Sequence, residues 1–221
     1  EIPSVQNVPT ARNLETLSSD RKTALQEYAK RILLEKGLSV TALNHFMKCP
    51  QTFFYKSILK VPEAPHPSSE KGNAMHKAFS AVWNSTDRSV QSITDTIVLA
   101  VQEYFAHSLL PVFEKEMALL ELTKNAPIVA KALHEHFASV EKALSENWYE
   151  RILEVTYDGA VIPLKLHGRM DAVVEMGNSI FVYDYKTREA MSTTAIRGET
   201  KNSDGAYFRQ LVFYKILLAS H

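Results

Sequence analysis

Residues 168–187, GRMDAVVEMGNSIFVYDYKT, consist of two apolar, β-branched runs separated by Gly177-Asn178. A Gly-Asn pair between such runs predicts a β-hairpin. Asp171 lies 13 positions before Asp184, and a hairpin of that length can bring the two carboxylates side by side. Asp184 and Lys186 are two apart, so on a strand they point to the same face. Two carboxylates and an ammonium at the end of a sheet predict a site for a hard divalent cation and a phosphodiester.

The rest of the chain predicts helices before this hairpin and one helix after it. Residues 1–18 are polar and are predicted to form an N-terminal arm. Residues 19–221 are predicted to form a single domain, with a helical part at about 19–148 and a sheet core with a closing helix at about 149–221. This order predicts an α/β fold in which a mixed sheet of about four or five strands is flanked by helices.

Apolar periodicity and capping residues give the individual elements. The predicted helices are residues 19–37, 41–47, a helix from Gly72 onward, 88–108, 112–123, 126–148 and 207–218. Strands are predicted at 152–157 and 161–166, with a turn at Asp158-Gly159, in addition to the hairpin. Residues 62–69 and 188–205 are predicted to be loops.

Composition excludes some classes of protein. Cys49 is the only cysteine among the 221 residues, so a disulfide within the chain is impossible and a reducing compartment is favoured. Lys and Arg together number 25, as do Asp and Glu, which argues against bulk electrostatic capture of nucleic acid but permits a local basic groove. No apolar run in this sequence nears the length of a membrane span, and we expect neither a membrane span nor a signal peptide in it. The chain begins without methionine and stops after an apolar run, so we expect it to be part of a longer protein.

Three titratable residues indicate a functional site only when they are considered together. Read singly, His76, Asp171 and Asp184 are each more often structural than functional. An unpaired carboxylate is costly inside an apolar strand, and two neighbouring carboxylates repel each other. A bound cation removes both penalties, so the combination favours a metal site.

These residues fall in an order that resembles the RecB-type branch of the PD-(D/E)XK nuclease superfamily. Gly72–His76 matches the first motif of that branch, and Gly168–Asp171 matches the second. Asp184-Tyr185-Lys186 matches its signature, and Arg209–Tyr214 matches its trailing Q-x-x-x-Y motif. The resemblance runs from about Leu38 to Leu218, and it implies a restriction-endonuclease-like core.

The resemblance also implies roles for individual residues. His76, Asp171 and Asp184 are the implied metal ligands, together with the backbone carbonyl of Tyr185. The two aspartates and Lys186 are the implied catalytic residues, and Mg²⁺ or Mn²⁺ is the implied cofactor.

Four further residues are expected around the site. Gln210 and Tyr214 are implied to support it, and they lie four apart on a helix, so both can face one groove. Arg209 and Lys201 are our predicted contacts with DNA.

The wider context resembles the C-terminal nuclease domain of bacterial UvrD/Rep-type helicase–nucleases. This likeness implies DNA, as a single strand or a duplex end, and the helicase motor of the same parent chain as partners, with no membrane. It also implies a cytoplasmic, nucleoid-associated role in DNA repair and recombination. Some relatives hold an iron–sulfur cluster through four cysteines. Since Cys49 is alone, no cluster is expected in this chain.

The sequence therefore predicts a metal-dependent deoxyribonuclease of the exonuclease type. One alternative is a non-catalytic DNA-binding or scaffolding module with the same fold. Another is a stand-alone restriction-type or CRISPR-associated nuclease. The full gene distinguishes it from a helicase-linked domain, which must be preceded by ATPase motifs; this chain contains no G-x-x-x-x-G-K-[ST] phosphate loop.

Overall fold

The computed structural model of the protein describes residues 19–137, 140 and 143–219. The predicted arm at 1–18 lies outside the described residues. The helices before the sheet are α1 (Ser19–Lys36), α2 (Val40–Lys48), α3 (Pro50–Phe53), α4 (Pro67–Asn84), α5 (Val90–His107) and α6 (Val112–Phe137). Helix α3 continues into a π-helical turn at Phe54–Ile58.

The junction between α1 and α2 contains the predicted helix stop and the predicted helix cap. Gly37 has φ +85°, a left-handed conformation that glycine adopts readily, and it ends α1. The Ser39 side chain then accepts a hydrogen bond from the Ala42 amide at 3.2 Å and caps α2. Both predicted helix boundaries are confirmed.

Helix α4 begins five residues earlier than the predicted start at Gly72. Pro67 occupies the first helical position, where its missing N–H costs no hydrogen bond. The His66 side chain accepts from the Ser68 amide at 3.3 Å and caps the helix. The predicted loop at 62–69 therefore ends at His66.

Helix α6 replaces the predicted helices 112–123 and 126–148. Pro127 lies inside it and removes one backbone hydrogen bond, which normally favours a break. The helix continues because its buried residues repeat every four positions through the proline; these are Ala118, Leu122, Ala126 and Ala130. The prediction of helix up to residue 148 was wrong, since residues 143–148 belong to a strand.

In the described part of the chain, the sheet has three antiparallel strands in the order β1 (Ala143–Tyr157), β2 (Ala160–Met176) and β3 (Ser179–Tyr183). Both predicted hairpin turns, Asp158-Gly159 and Gly177-Asn178, are confirmed. A parallel bridge between Leu38 and Leu166 is added at the edge of the α1–α2 junction.

The strand count among the described residues is lower than the predicted four or five because β2 is uninterrupted. Gly168 does not break it. A Cβ at Gly168 would come within 3.2 Å of Leu217 Cδ1, so the glycine permits close packing of the following helix on the strand.

Two helices follow the sheet, α7 (Thr193–Arg197) and α8 (Ala206–Leu218). Helix α7 lies within the predicted loop 188–205, where the Ser192 side chain accepts from the Ala195 amide at 3.2 Å. Such a short helix carries too few apolar residues to be detected by periodicity.

The buried residues form separate clusters on the two sides of the molecule. One joins α4, α5 and α6, and another joins β2, α8 and the start of α2. A smaller cluster of Trp83, Val140, Ala172 and Val174 lies where the helices meet the sheet. In the described part of the chain, no helix combines the length and the apolarity needed to cross a membrane.

Candidate active site

Six of the predicted site residues line one open cleft between the helical part and the sheet. The cleft has a volume of about 1050 Å³. The six residues are His76, Asp171, Asp184, Lys186, Gln210 and Tyr214. Helix α4, strand β2, the segment after β3 and the final helix of the chain contribute them, so the cleft depends on how these four parts pack together.

The hairpin register brings the two aspartates together. Ala172 pairs with Tyr183 as the last pair of β2 and β3, so Asp171 and Asp184 occupy the next positions, opposite each other. Strand β3 ends at Tyr183, and Asp184 and Lys186 lie just beyond it rather than on the strand as predicted. The ladder stops there because the Tyr185 amide donates to Asp171 Oδ2 at 2.7 Å.

Asp171 also contacts the histidine of α4. Its Oδ1 atom lies 3.2 Å from His76 Nδ1, and the residue is only 9% exposed. A buried carboxylate is costly unless it is hydrogen bonded or bound to a cation. Asp171 is therefore held on both oxygens by the protein.

Glu146 on β1 lies beside His76 and Asp171. It is not among the site residues predicted from the sequence. Its Oε1 atom lies 3.7 Å from His76 Nδ1, and its Oε2 lies 2.9 Å from Arg169 Nε. The pairings of the residues on either side place Glu146 opposite Asp171 across the β1–β2 ladder. Its stretch reads as part of an amphipathic helix in the sequence, so no local signal marks it.

The backbone at Glu146 is strained. Its φ is +56°, a region that residues with a Cβ occupy at a cost. Backbone strain of this kind persists where the surrounding structure enforces it, and it clusters at functional sites.

His76, Glu146 and Asp171 form a group that we call the acidic cluster. Each offers one ligand atom, and these atoms lie within 4.8 Å of one another. Two carboxylate oxygens and one imidazole nitrogen suit a divalent cation that prefers oxygen ligands. The donor set of the acidic cluster therefore fits the predicted metal.

Asp184 lies outside the acidic cluster and has partners of its own. Its carboxylate contacts the Lys186 ammonium through Oδ2. Its Oδ1 accepts from Gln210 Nε2 at 2.9 Å and from the Tyr214 hydroxyl at 3.3 Å. Gln210 Nε2 also contacts the Tyr214 hydroxyl at 2.7 Å. We call these four residues the Asp184 network.

Burial and charge shift the titration of these groups. Hydrogen bonding to Asp171 raises the pKa of His76, although burial of the imidazole opposes this. Burial raises the pKa of Asp184, while Lys186 acts in the opposite direction and the nearby Asp171 adds to the rise. A bound cation would remove the repulsion between Asp171 and Asp184.

Tyr185 fixes the loop after β3. Its hydroxyl accepts from Trp83 Nε1 at 2.8 Å, and its ring lies 4.5 Å from that of Phe79 between centroids. Burial raises the pKa of this hydroxyl. The ligand role of the Tyr185 carbonyl stays a prediction.

The two predicted DNA contacts lie away from the cleft lining. Arg209 donates from Nε to Asn44 Oδ1 at 2.8 Å and from Nη1 to the Asp204 carbonyl at 2.7 Å, which ties α8 to α2. Lys201 is exposed in the turn between α7 and α8. Neither Arg209 nor Lys201 is among the described residues that line the cleft.

The fold and this cleft define a nuclease class. The family model of the PD-(D/E)XK nuclease superfamily matches residues 37–221, and the chain belongs to that superfamily. Members are typically hydrolytic nucleases, which makes DNA the implied substrate. A comparison with curated proteins finds no significant match.

Proposed function

We propose that this chain hydrolyses DNA phosphodiesters in a metal-dependent reaction at the cleft. The observation that supports the proposal is the acidic cluster beside the Asp184 network, where an ammonium lies next to residues that could hold a divalent cation. Hydrolysis adds water across a P–O bond and leaves one hydroxyl end and one phosphate end.

The acidic cluster supplies the ligands. His76, Glu146 and Asp171 would hold Mg²⁺ or Mn²⁺, which when bound polarises the phosphodiester and lowers the pKa of a water. Asp184, the ligand implied by the resemblance, lies opposite Asp171 and would add a further oxygen. Arg169 holds one oxygen of Glu146 and so leaves the other directed at His76.

Lys186 supplies positive charge on the other side. Its ammonium is held by Asp184, and its side chain is 35% exposed in the cleft. In this position it can orient the attacking water or stabilise the charge that develops on the phosphorane. Gln210 and Tyr214 keep the Asp184 carboxylate oriented for this task.

Degradation of an end-labelled DNA strand tests the proposal. The wild type should cleave with Mg²⁺ or Mn²⁺ and not with EDTA, and Asp184→Ala should lose cleavage. Asp95→Asn is the matched control, since Asp95 is an exposed acid on α5 whose side chain bonds to Gln91 of the same helix. A wild type that binds DNA but never cleaves it with either metal would instead support the non-catalytic module.

We also propose the exonuclease mode that the resemblance implies. A covalently closed single-stranded circle offers the same phosphodiesters as its linear form but has no end. Resistance of the circle beside rapid loss of the linear strand supports an exonuclease. Equal loss of both would show endonuclease cleavage.

We propose further that the chain belongs to the RecB-like branch and is part of a helicase–nuclease. We also propose that residues 19–221 form a single domain. These assignments support a place in DNA repair and recombination, in the bacterial cytoplasm near the nucleoid. The open reading frame that contains this chain tests them, because a helicase–nuclease must carry ATPase motifs upstream. Their absence would favour the stand-alone nuclease.

A further inference from the structure

A large aromatic side chain lines the cleft beside the acidic cluster. Trp148 on β1 is 56% exposed, whereas the chain's other tryptophan, Trp83, is 8% exposed in the core. Leaving an indole in water forgoes the favourable free energy of its burial. An exposed tryptophan in a cleft that fits a phosphodiester is therefore a candidate ligand contact.

The indole of Trp148 is held in a fixed orientation. Its Nε1 donates to Glu150 Oε1 at 2.9 Å. Its ring is stacked on the His167 imidazole, with centroids 4.9 Å apart and planes inclined by 21°. The His167 amide in turn donates to the Leu38 carbonyl at 3.0 Å, which fixes the support. One face of the indole is covered, and more than half of the residue remains accessible.

The strand geometry sets the distance from this ring to the acidic cluster. Glu146 and Trp148 are two residues apart on β1, so their side chains share a face and lie about 7 Å apart along the strand. The partner strand repeats the arrangement, because Arg169 is opposite Trp148 and Asp171 is opposite Glu146. A base attached to a phosphodiester at the acidic cluster can reach the ring across this span.

Beyond the ring, the surface becomes basic. His167 also borders a neighbouring pocket of about 210 Å³ that contains Lys36, Lys56 and Lys60. Lys56 is paired with Glu63, whereas no ion pair of Lys36 or Lys60 is found among the described residues, so these two are the cations that a polyanion would meet there. A strand that passes the ring therefore continues into a favourable electrostatic environment.

We propose that Trp148, backed by His167, is the platform on which a nucleobase stacks when the adjacent phosphodiester lies at the acidic cluster. This inference rests on the proposed nuclease function and names a residue that determines its substrate form. A base reaches an aromatic face only if it is unpaired or terminal, so the platform selects single strands and frayed ends over intact duplex. Stacking is tolerant of sequence because every base has a π-face.

Binding of cleavage-resistant, phosphorothioate-linked oligomers in Mg²⁺ tests the platform separately from cleavage and keeps a divalent cation available to the acidic cluster. Two labelled oligomers of equal length and charge serve as probes, one with natural bases and one abasic. Since aromatic stacking contributes affinity for each base, the wild type should bind the natural strand about tenfold more tightly, and Trp148→Ala should remove that preference. Trp148→Phe should retain part of it. Tyr157→Ala is the matched control, because Tyr157 is 64% exposed at the far end of the same strand.

A fluorescence measurement gives a second readout. The natural strand should quench part of the tryptophan emission of the wild type, the abasic strand should not, and the Trp148→Phe variant should show no quenching. Equal binding of both strands by the wild type, or an unchanged preference in a folded Trp148→Ala variant, would overturn the platform even if the wild type cleaves DNA. An inactive wild type that still prefers the natural strand would overturn the proposed function alone.

Discussion

Each side of the cleft contains one aspartate, and the two aspartates have different partners. In the acidic cluster, Asp171 faces an imidazole and a second carboxylate, so negative charge accumulates there. In the Asp184 network, the carboxylate already contacts one ammonium and two neutral donors. We infer that the first side provides most of the affinity for a cation, whereas the second adds one oxygen and orients the lysine that acts on the phosphodiester.

The largest effect should follow from removing charge in the acidic cluster. Asp171→Asn should reduce cleavage by about 1000-fold or more, because the metal contributes several kcal/mol to the transition state. It should also weaken Mn²⁺ binding measured by calorimetry without DNA. The Asp95→Asn variant should match the wild type in both measurements, and an Asp171→Asn variant with wild-type Mn²⁺ affinity would contradict this division.

Substitution of Lys186 should affect cleavage without lowering metal affinity, which distinguishes the two sides. Lys186→Met should reduce cleavage by about 100-fold, since one preorganised electrostatic contact to the transition state has an effect of this size. Its Mn²⁺ affinity should stay the same or rise, because a neighbouring positive charge is removed. If calorimetry instead shows a loss of Mn²⁺ affinity as large as that of Asp171→Asn, the two sides do not act separately.

A smaller effect is expected from the orienting hydrogen bonds. Tyr214→Phe removes the hydroxyl that donates to Asp184, so cleavage should fall by about tenfold, as for other groups that orient a ligand. Steady-state kinetics should show this loss mainly in kcat. Tyr157→Phe serves as the control, and a Tyr214→Phe variant with unchanged kcat would show that Asp184 is positioned without the hydroxyl.

The smallest effect concerns the strained residue of the acidic cluster. Glu146→Ala and Glu146→Gly both remove the carboxylate, but only glycine tolerates φ +56° without cost. Urea denaturation should therefore find the glycine variant more stable than the alanine variant by about 1 kcal/mol, while both lose activity. A more stable alanine variant would indicate that the backbone leaves the left-handed region once the side chain is gone.

The sequence predicts the Asp171–Asp184 pair because both residues lie on one hairpin. The Gly177-Asn178 turn fixes the register, and the register fixes the neighbours. Gln210 and Tyr214 are implied by the resemblance through the Q-x-x-x-Y motif, and their spacing of four on a helix adds only that both can face one groove.

Glu146 could not be predicted because its position depends on a distant pairing. Residues 143–148 contain enough helix-forming residues to extend the preceding helical pattern. Only the ladder with β2 makes them a strand and aligns Glu146 with Asp171. The continuation of α6 through Pro127 has the same origin, since packing against α5 outweighs the local preference to break.

The loop after β3 connects the two halves of the molecule at the site itself. The Tyr185 side chain is anchored by Trp83 of α4, and its amide is bonded to Asp171 of the sheet. Separation of the helical part from the sheet would break the Trp83–Tyr185 hydrogen bond and the contact between His76 and Asp171. Thermal inactivation and global unfolding should therefore coincide, with no intermediate in which the sheet is intact and the enzyme inactive.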